Sequence, residues 1–120
     1  MRNFRQLNIW KEGIEIVKEI YMITKEMPER EKFGLIAQLR RAAVSIPSNI
    51  AEGCSRNSNI EYKRFLEIAM GSSFELETQL YIVQELQLLK HEALNPVFEL
   101  LNTEQKMINN LITKIKKTKD

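Results

Sequence analysis

Between Arg40 and Gly53 the chain combines a helical apolar pattern with an internal proline and a polar stripe. Arg41, Ser45, Ser48 and Glu52 are spaced four, three and four apart, which puts them on one side of a helix. Further along, Glu75 and Glu77 stand among Ser72, Ser73 and Gln79. Arginines facing glutamates across two helices form ion pairs, and nearby hydroxyls and amides can satisfy the remaining donors and acceptors. Burial demands such pairing, because an isolated charge is costly to remove from water. The expectation is an interhelical polar network of Arg40, Arg41, Ser45, Asn49, Glu52, Glu75 and Glu77. It would set helix register more than it adds stability. A subunit-interface or ligand-binding role for the same stripe ranks second.

Catalysis ranks last. Paired carboxylates need a proton-transfer partner or a metal, and the chain has one histidine, His91, and one cysteine, Cys54. Those two cannot build a His/Cys zinc site within one subunit. No catalytic, metal or cofactor-binding residue is assigned, and the chain reads as a non-enzyme. Cys54 is read as a small structural residue and His91 as a turn residue. A lone cysteine also excludes an intrachain disulfide and suits a reducing compartment.

The second kind of chemistry is phosphate contact by cations. Arg2 and Arg5 lie at the start of the chain. Arg56, Lys63 and Arg64 flank one turn, and Lys114, Lys116 and Lys117 close the chain. Arg56, Lys63, Arg64, Lys114, Lys116 and Lys117 are the candidate nucleic-acid contacts. Acidic residues are nearly as numerous, with a formal net charge of only +2, so solvated surface charge is the competing reading. Any binding would be non-specific, because the chain carries neither an aromatic-rich platform nor a helix-turn-helix pattern. Trp10 and Tyr21 are read as packing residues. Met22, Met27, Met70 and Met107 are read as gap fillers.

Four amphipathic blocks must position these groups within one domain spanning 1–120. The first runs from about Asn8 to Glu26, with Leu7, Trp10, Ile14, Val17 and Tyr21 on the core face. Ile9, Ile16, Ile20 and Ile23 widen its stripe enough to suggest an extra partner. The second runs from about Glu31 to Ala51, with Pro47 expected to kink it and Gly53 to cap it. The third opens on the capping box Ser58 to Glu61 and reaches about Leu89. Tyr62, Leu66, Ala69, Ser73, Leu76, Leu80 and Val83 line its main seam, with Phe65, Ile68, Ile82 and Leu86 beside it. Gly71 and the serines after it are expected to admit a close neighbour. The fourth starts near Glu92 to Pro96, with Asn95 and Pro96 in its first turn, and ends among lysines that suit a helix C-terminus. Four helices joined by short turns predict an all-α, antiparallel up-down four-helix bundle. No apolar run approaches the roughly 18 residues of a membrane span. A cytoplasmic protein with no membrane role and no cofactor is expected.

Several long motifs resemble those of the 23S rRNA intervening-sequence proteins. They are Phe4-Arg5-x-Leu7-x-Ile9-Trp10, then Gly34-Leu35-x-x-Gln38-Leu39-Arg40-Arg41-Ala42-Ala43 and Ser45-Ile46-Pro47-Ser48-Asn49-Ile50-Ala51-Glu52-Gly53. Phe65-Leu66-x-Ile68-Ala69-x-Gly71-Ser72 and Glu75-Leu76-Glu77-Thr78-Gln79 complete the set. The resemblance spans nearly the whole chain. Met70 stands where that family commonly has arginine, and Gly13 where it usually has alanine. The resemblance implies a left-handed bundle and a ring-shaped homo-oligomer, with a pentamer favoured. Some members of the family are encoded within extra segments of bacterial large-subunit ribosomal RNA genes. A related branch accompanies diversity-generating retroelements, with nucleic-acid and reverse-transcriptase binding. Two functions therefore compete: a homo-oligomer that binds RNA or DNA through repeated basic patches, and an adaptor bundle for a protein partner.

Overall fold

The structure, a computed structural model, describes residues 2–118. Helix α1 spans Asn8–Thr24, α2 Leu35–Cys54, α3 Asn59–Glu85 and α4 His91–Lys116. Single 3-10 turns at Phe4–Gln6 and Glu29–Glu31 precede α1 and α2. No strand occurs among the described residues. Each helix packs against two others: α1 on α2 and α4, and α3 on α2 and α4. The result is a four-helix bundle in a rod of 48 × 22 × 20 Å.

The core is a ladder of aliphatic side chains. Ile16, Ile20, Leu39, Ile46, Ile50, Leu66, Leu76, Leu80, Leu94, Leu101 and Ile108 are all essentially removed from water. At roughly 1.5–3 kcal/mol for each large side chain buried, this ladder is the main drive to fold. The expected main seam of α3 is buried along its whole length. The Ser58 half of the expected capping box is present, its hydroxyl accepting from the Glu61 amide at 3.2 Å. The end of α3 comes at Glu85, before the expected Leu89, where Gln87 enters the left-handed region at φ 57°.

Helix α1 is rotated relative to the expected core face. Ile9, Gly13, Ile16, Ile20 and Ile23 are buried, while Trp10, Ile14 and Val17 are half-buried and Tyr21 is 40% exposed. Both stripes obey helical spacing. The isoleucines fill the junction with α2 and α4, and the larger rings serve the margin. Trp10 meets Phe4 edge-on at 5.2 Å, and Tyr21 lies 4.4 Å beneath the Arg40 guanidinium.

Gly53, Gly71 and Pro96 act differently from their sequence reading. Gly53 lies inside α2 and has no left-handed backbone. A Cβ there would stand 2.8 Å from Phe65 Cβ, so its role is close approach of α2 to α3. Gly71 meets nothing within 4 Å, and the buried Ser72 and Ser73 face the core instead. Pro96 is the sixth residue of α4 rather than part of its first turn. Helix α2 continues through Pro47, which is buried. The missing i→i−4 hydrogen bond is tolerated because Pro47 packs on α1 at Gly13. A Cβ on Gly13 would lie 3.2 Å from Pro47 Cβ.

Candidate functional site

The polar stripe of α2 divides among three neighbours. Ser45 and Ser72 share a hydrogen bond of 2.8 Å between α2 and α3. The Asn49 amide donates to the Ser45 carbonyl at 2.8 Å and to its hydroxyl at 2.9 Å, one turn back. The arginines do not reach α3. Arg40 Nε donates to Thr24 Oγ1 of α1 at 3.1 Å, and Arg41 is exposed. Glu75 accepts from Gln79 at 3.5 Å, Glu77 from Gln105 of α4 at 2.9 Å, and Glu52 from Arg56 at 2.9 Å. None of the ion pairs among the described residues joins Arg40 or Arg41 to Glu75 or Glu77. The small hydroxyls occupy the tight α2–α3 contact, and the long charged side chains are left at its margins.

The strongest buried polar feature is Glu104, which does not belong to the expected network. Its side chain is fully buried, and both carboxyl oxygens lack a hydrogen-bond partner among the described residues. Oε2 lies 3.3 Å from where a Cβ on Gly13 would stand, beside Pro47. Burial first, and the Glu12 carboxylate second, push its pKa up to about 8. Glu12 is itself raised, by burial and then by Glu15. Burial thus favours the neutral form of the Glu104 carboxyl. Its spacing offers a signal: Val97, Leu101, Glu104 and Ile108 follow the four-three-four rhythm of the buried stripe.

Cys54 is buried beneath the α2–α3 turn, and burial raises its thiol pKa, the condition of an unreactive cysteine. No group of three or more His, Cys, Asp or Glu among the described residues is placed to hold a metal ion. No helix is long and apolar enough to cross a membrane.

The basic residues behave differently from the polar stripe, because folding gathers them. Arg2 reaches across the α2–α3 turn, donating to the Arg56 carbonyl at 2.9 Å and to Asn59 Oδ1 at 2.7 Å. Its guanidinium lies 4.0 Å over the Tyr62 ring, and that of Arg56 lies 4.6 Å over Phe65. The end of α4 comes alongside the start of α3, where Lys63 and Lys116 line one depression with Asn59, Ile60, Ile115 and Thr118. Lys114 lines another with Leu7, Asn8 and Ile9 at the start of α1. Cations from four separate stretches of sequence thus meet at one end of the rod. Lys63 is paired to Glu67 at 3.3 Å, while Arg64, Lys114, Lys116 and Lys117 are exposed. Arg2 is the member that sequence reasoning leaves out of the candidate set.

Exposed apolar side chains collect on α3 rather than α1. Ile68, Phe74, Tyr81, Ile82 and Leu86 are each at least 40% exposed. Tyr81 is steadied by Phe98 of α4 at a centroid distance of 4.7 Å.

The described residues thus form a helical bundle with an aliphatic core, a cluster of cations at one end and exposed apolar side chains on α3. The chain belongs to the 23S rRNA-intervening sequence protein family, whose model matches residues 5–110. It is similar in fold to a crystal structure from Bacteroides thetaiotaomicron, described as a protein with unknown function from the S23 ribosomal protein family. The TM-score is 0.81 at 21% identity, covering 88% of this chain and 95% of that one. No curated protein matches the chain.

Proposed function

We propose that the protein is a non-enzymatic, homo-oligomeric four-helix bundle whose basic end contacts the phosphates of RNA or DNA without reading their sequence. The observation that carries this reading is the convergence of Arg2, Arg56, Lys63, Lys114 and Lys116 on one end of the rod. Arginine and lysine contacts to phosphate release condensed counterions, so the affinity must fall steeply with salt. Repetition of this end in an assembly would multiply weak contacts through avidity. The family resemblance favours a pentamer, and the single buried cysteine agrees with a cytoplasmic setting.

Fluorescence anisotropy with a labelled single-stranded oligonucleotide, from about 50 to 200 mM salt, tests the reading. Binding that weakens linearly in log–log form supports it; an affinity independent of salt overturns it. The second reading is an adaptor for a protein partner, and the exposed apolar flank of α3 favours it. Pull-downs with and without nuclease separate the two. A partner retained after nuclease treatment belongs to the adaptor reading.

A further inference from the structure

The turn between α2 and α3 holds an open cavity of about 550 Å³ lined by Arg2, Ser55, Arg56 and Asn57. We propose that this cavity seats one phosphate group of a nucleic-acid strand, gripped by the paired guanidinium groups of Arg2 and Arg56. The proposal rests on the nucleic-acid reading above and names its anchoring site.

Three observations converge on it. First, the two arginines rest on aromatic faces, Arg2 at 4.0 Å over Tyr62 and Arg56 at 4.6 Å over Phe65, which restrains both guanidinium groups. Planar forks restrained in this way suit the two-point recognition of phosphate oxygens. Second, donors remain in excess. A guanidinium has five N–H groups; Arg2 commits one from each terminal nitrogen, to the Arg56 carbonyl and to Asn59. Arg56 commits one, from Nη2, to Glu52 at 2.9 Å, which leaves further N–H groups on its terminal nitrogens. Third, no carboxylate among the described residues forms an ion pair with Arg2. Two like charges brought to one turn repel each other, and an anion between them relieves that repulsion. Glu52 is the competing anion. It is 54% exposed on its side chain and pairs with Arg56 alone, so phosphate has only one of the two cations to share with it.

The test has two arms on the full chain. In the first, pyrophosphate is titrated while 15N–1H spectra follow the backbone amides of Ser55, Arg56 and Asn57 and the side-chain Nε–H signals of Arg2 and Arg56. Saturable shifts confined to this turn are expected. Shifts spread evenly over all basic residues, or none at this turn, overturn the proposal. In the second, oligonucleotide affinity is compared for wild type, Arg2→Lys, Arg56→Lys and the double variant Arg2→Gln with Arg56→Gln, with thermal melts confirming folding. The double variant should lower the log–log salt slope by about one unit for each phosphate that it no longer neutralises. The lysine variants keep the charge and remove the fork, so weakened binding in them isolates the geometry. If the double variant binds as wild type while Lys63 and Lys116 variants do not, the cavity proposal fails and the broader reading stands. If pyrophosphate moves this turn and the oligonucleotide does not bind at all, the site takes a free phosphate ester, and both the strand-bound ligand and the nucleic-acid reading fail.

Discussion

Glu104 is an acid sealed into an aliphatic stripe, and its energetics follow from that placement. The unfolded chain titrates it near 4.5, whereas burial and the Glu12 carboxylate hold it protonated in the bundle up to about 8. A folded pKa above the unfolded one means that its contribution is fully present below about 4.5 and is lost as pH rises through about 8. Stability should therefore fall by up to about 1.4 kcal/mol per pH unit across that window, on the order of 5 kcal/mol in all. Glu104→Gln should match wild type near the acid edge of that window and exceed it near the alkaline edge. Urea unfolding at a series of pH values checks this; an equal pH slope in the two proteins would refute it. Gly53 belongs to the same scale. Gly53→Ala places a methyl 2.8 Å from Phe65 Cβ, and the resulting strain should cost about 1–3 kcal/mol, read as a lowered thermal midpoint. The position of Gly53 after a helical stripe suggests a cap, but only the approach of α3 reveals a packing role. The Glu104 position is legible in the rhythm of α4. Its lack of a partner is not, because pairing depends on what three other helices bring.

Helix α3 is the element with two lives. Its inner seam, from Tyr62 to Val83, is buried as its spacing foretells. Its outer residues Ile68, Phe74, Tyr81, Ile82 and Leu86 remain in contact with water. The proposed assembly would use these residues as its association surface. Ile82→Glu should leave the subunit's thermal stability almost unchanged, since its side chain is already 42% exposed, and should reduce the assembled mass. Light scattering coupled to size exclusion reads that change directly. An unchanged mass for the variant, alongside an oligomeric wild type, would move the interface elsewhere. The sequence alone points to α1 for the extra partner, because its apolar stripe is the widest. Packing places that width between α2 and α4, and leaves the second seam of α3 uncovered.

At the scale of the whole molecule, the bundle sorts charge along its length. Alternating helix direction brings the start of α1, the end of α2, the start of α3 and the end of α4 together. Charge reversal there should outweigh equal reversal elsewhere. Lys63→Glu with Lys116→Glu should weaken oligonucleotide binding severely at low salt, while Lys25→Glu with Lys90→Glu should change it little. Equal losses for the two pairs would mean that overall charge, not the basic end, governs binding. Helix number, approximate helix limits, the inner seam of α3 and the family resemblance were all determined by the sequence alone, whereas the buried face of α1 was not. They depend on local periodicity and on caps such as Ser58, which neighbouring residues supply. Partnership was decided only by the tertiary structure: Arg40 turns to Thr24, Ser45 to Ser72, Glu104 to no partner among the described residues, and Arg2 to the far-off turn at Arg56. Helical spacing assigns a residue to a face, but the identity of the group opposite depends on how four helices rotate and slide against one another, a choice settled by the packing of the core as a whole.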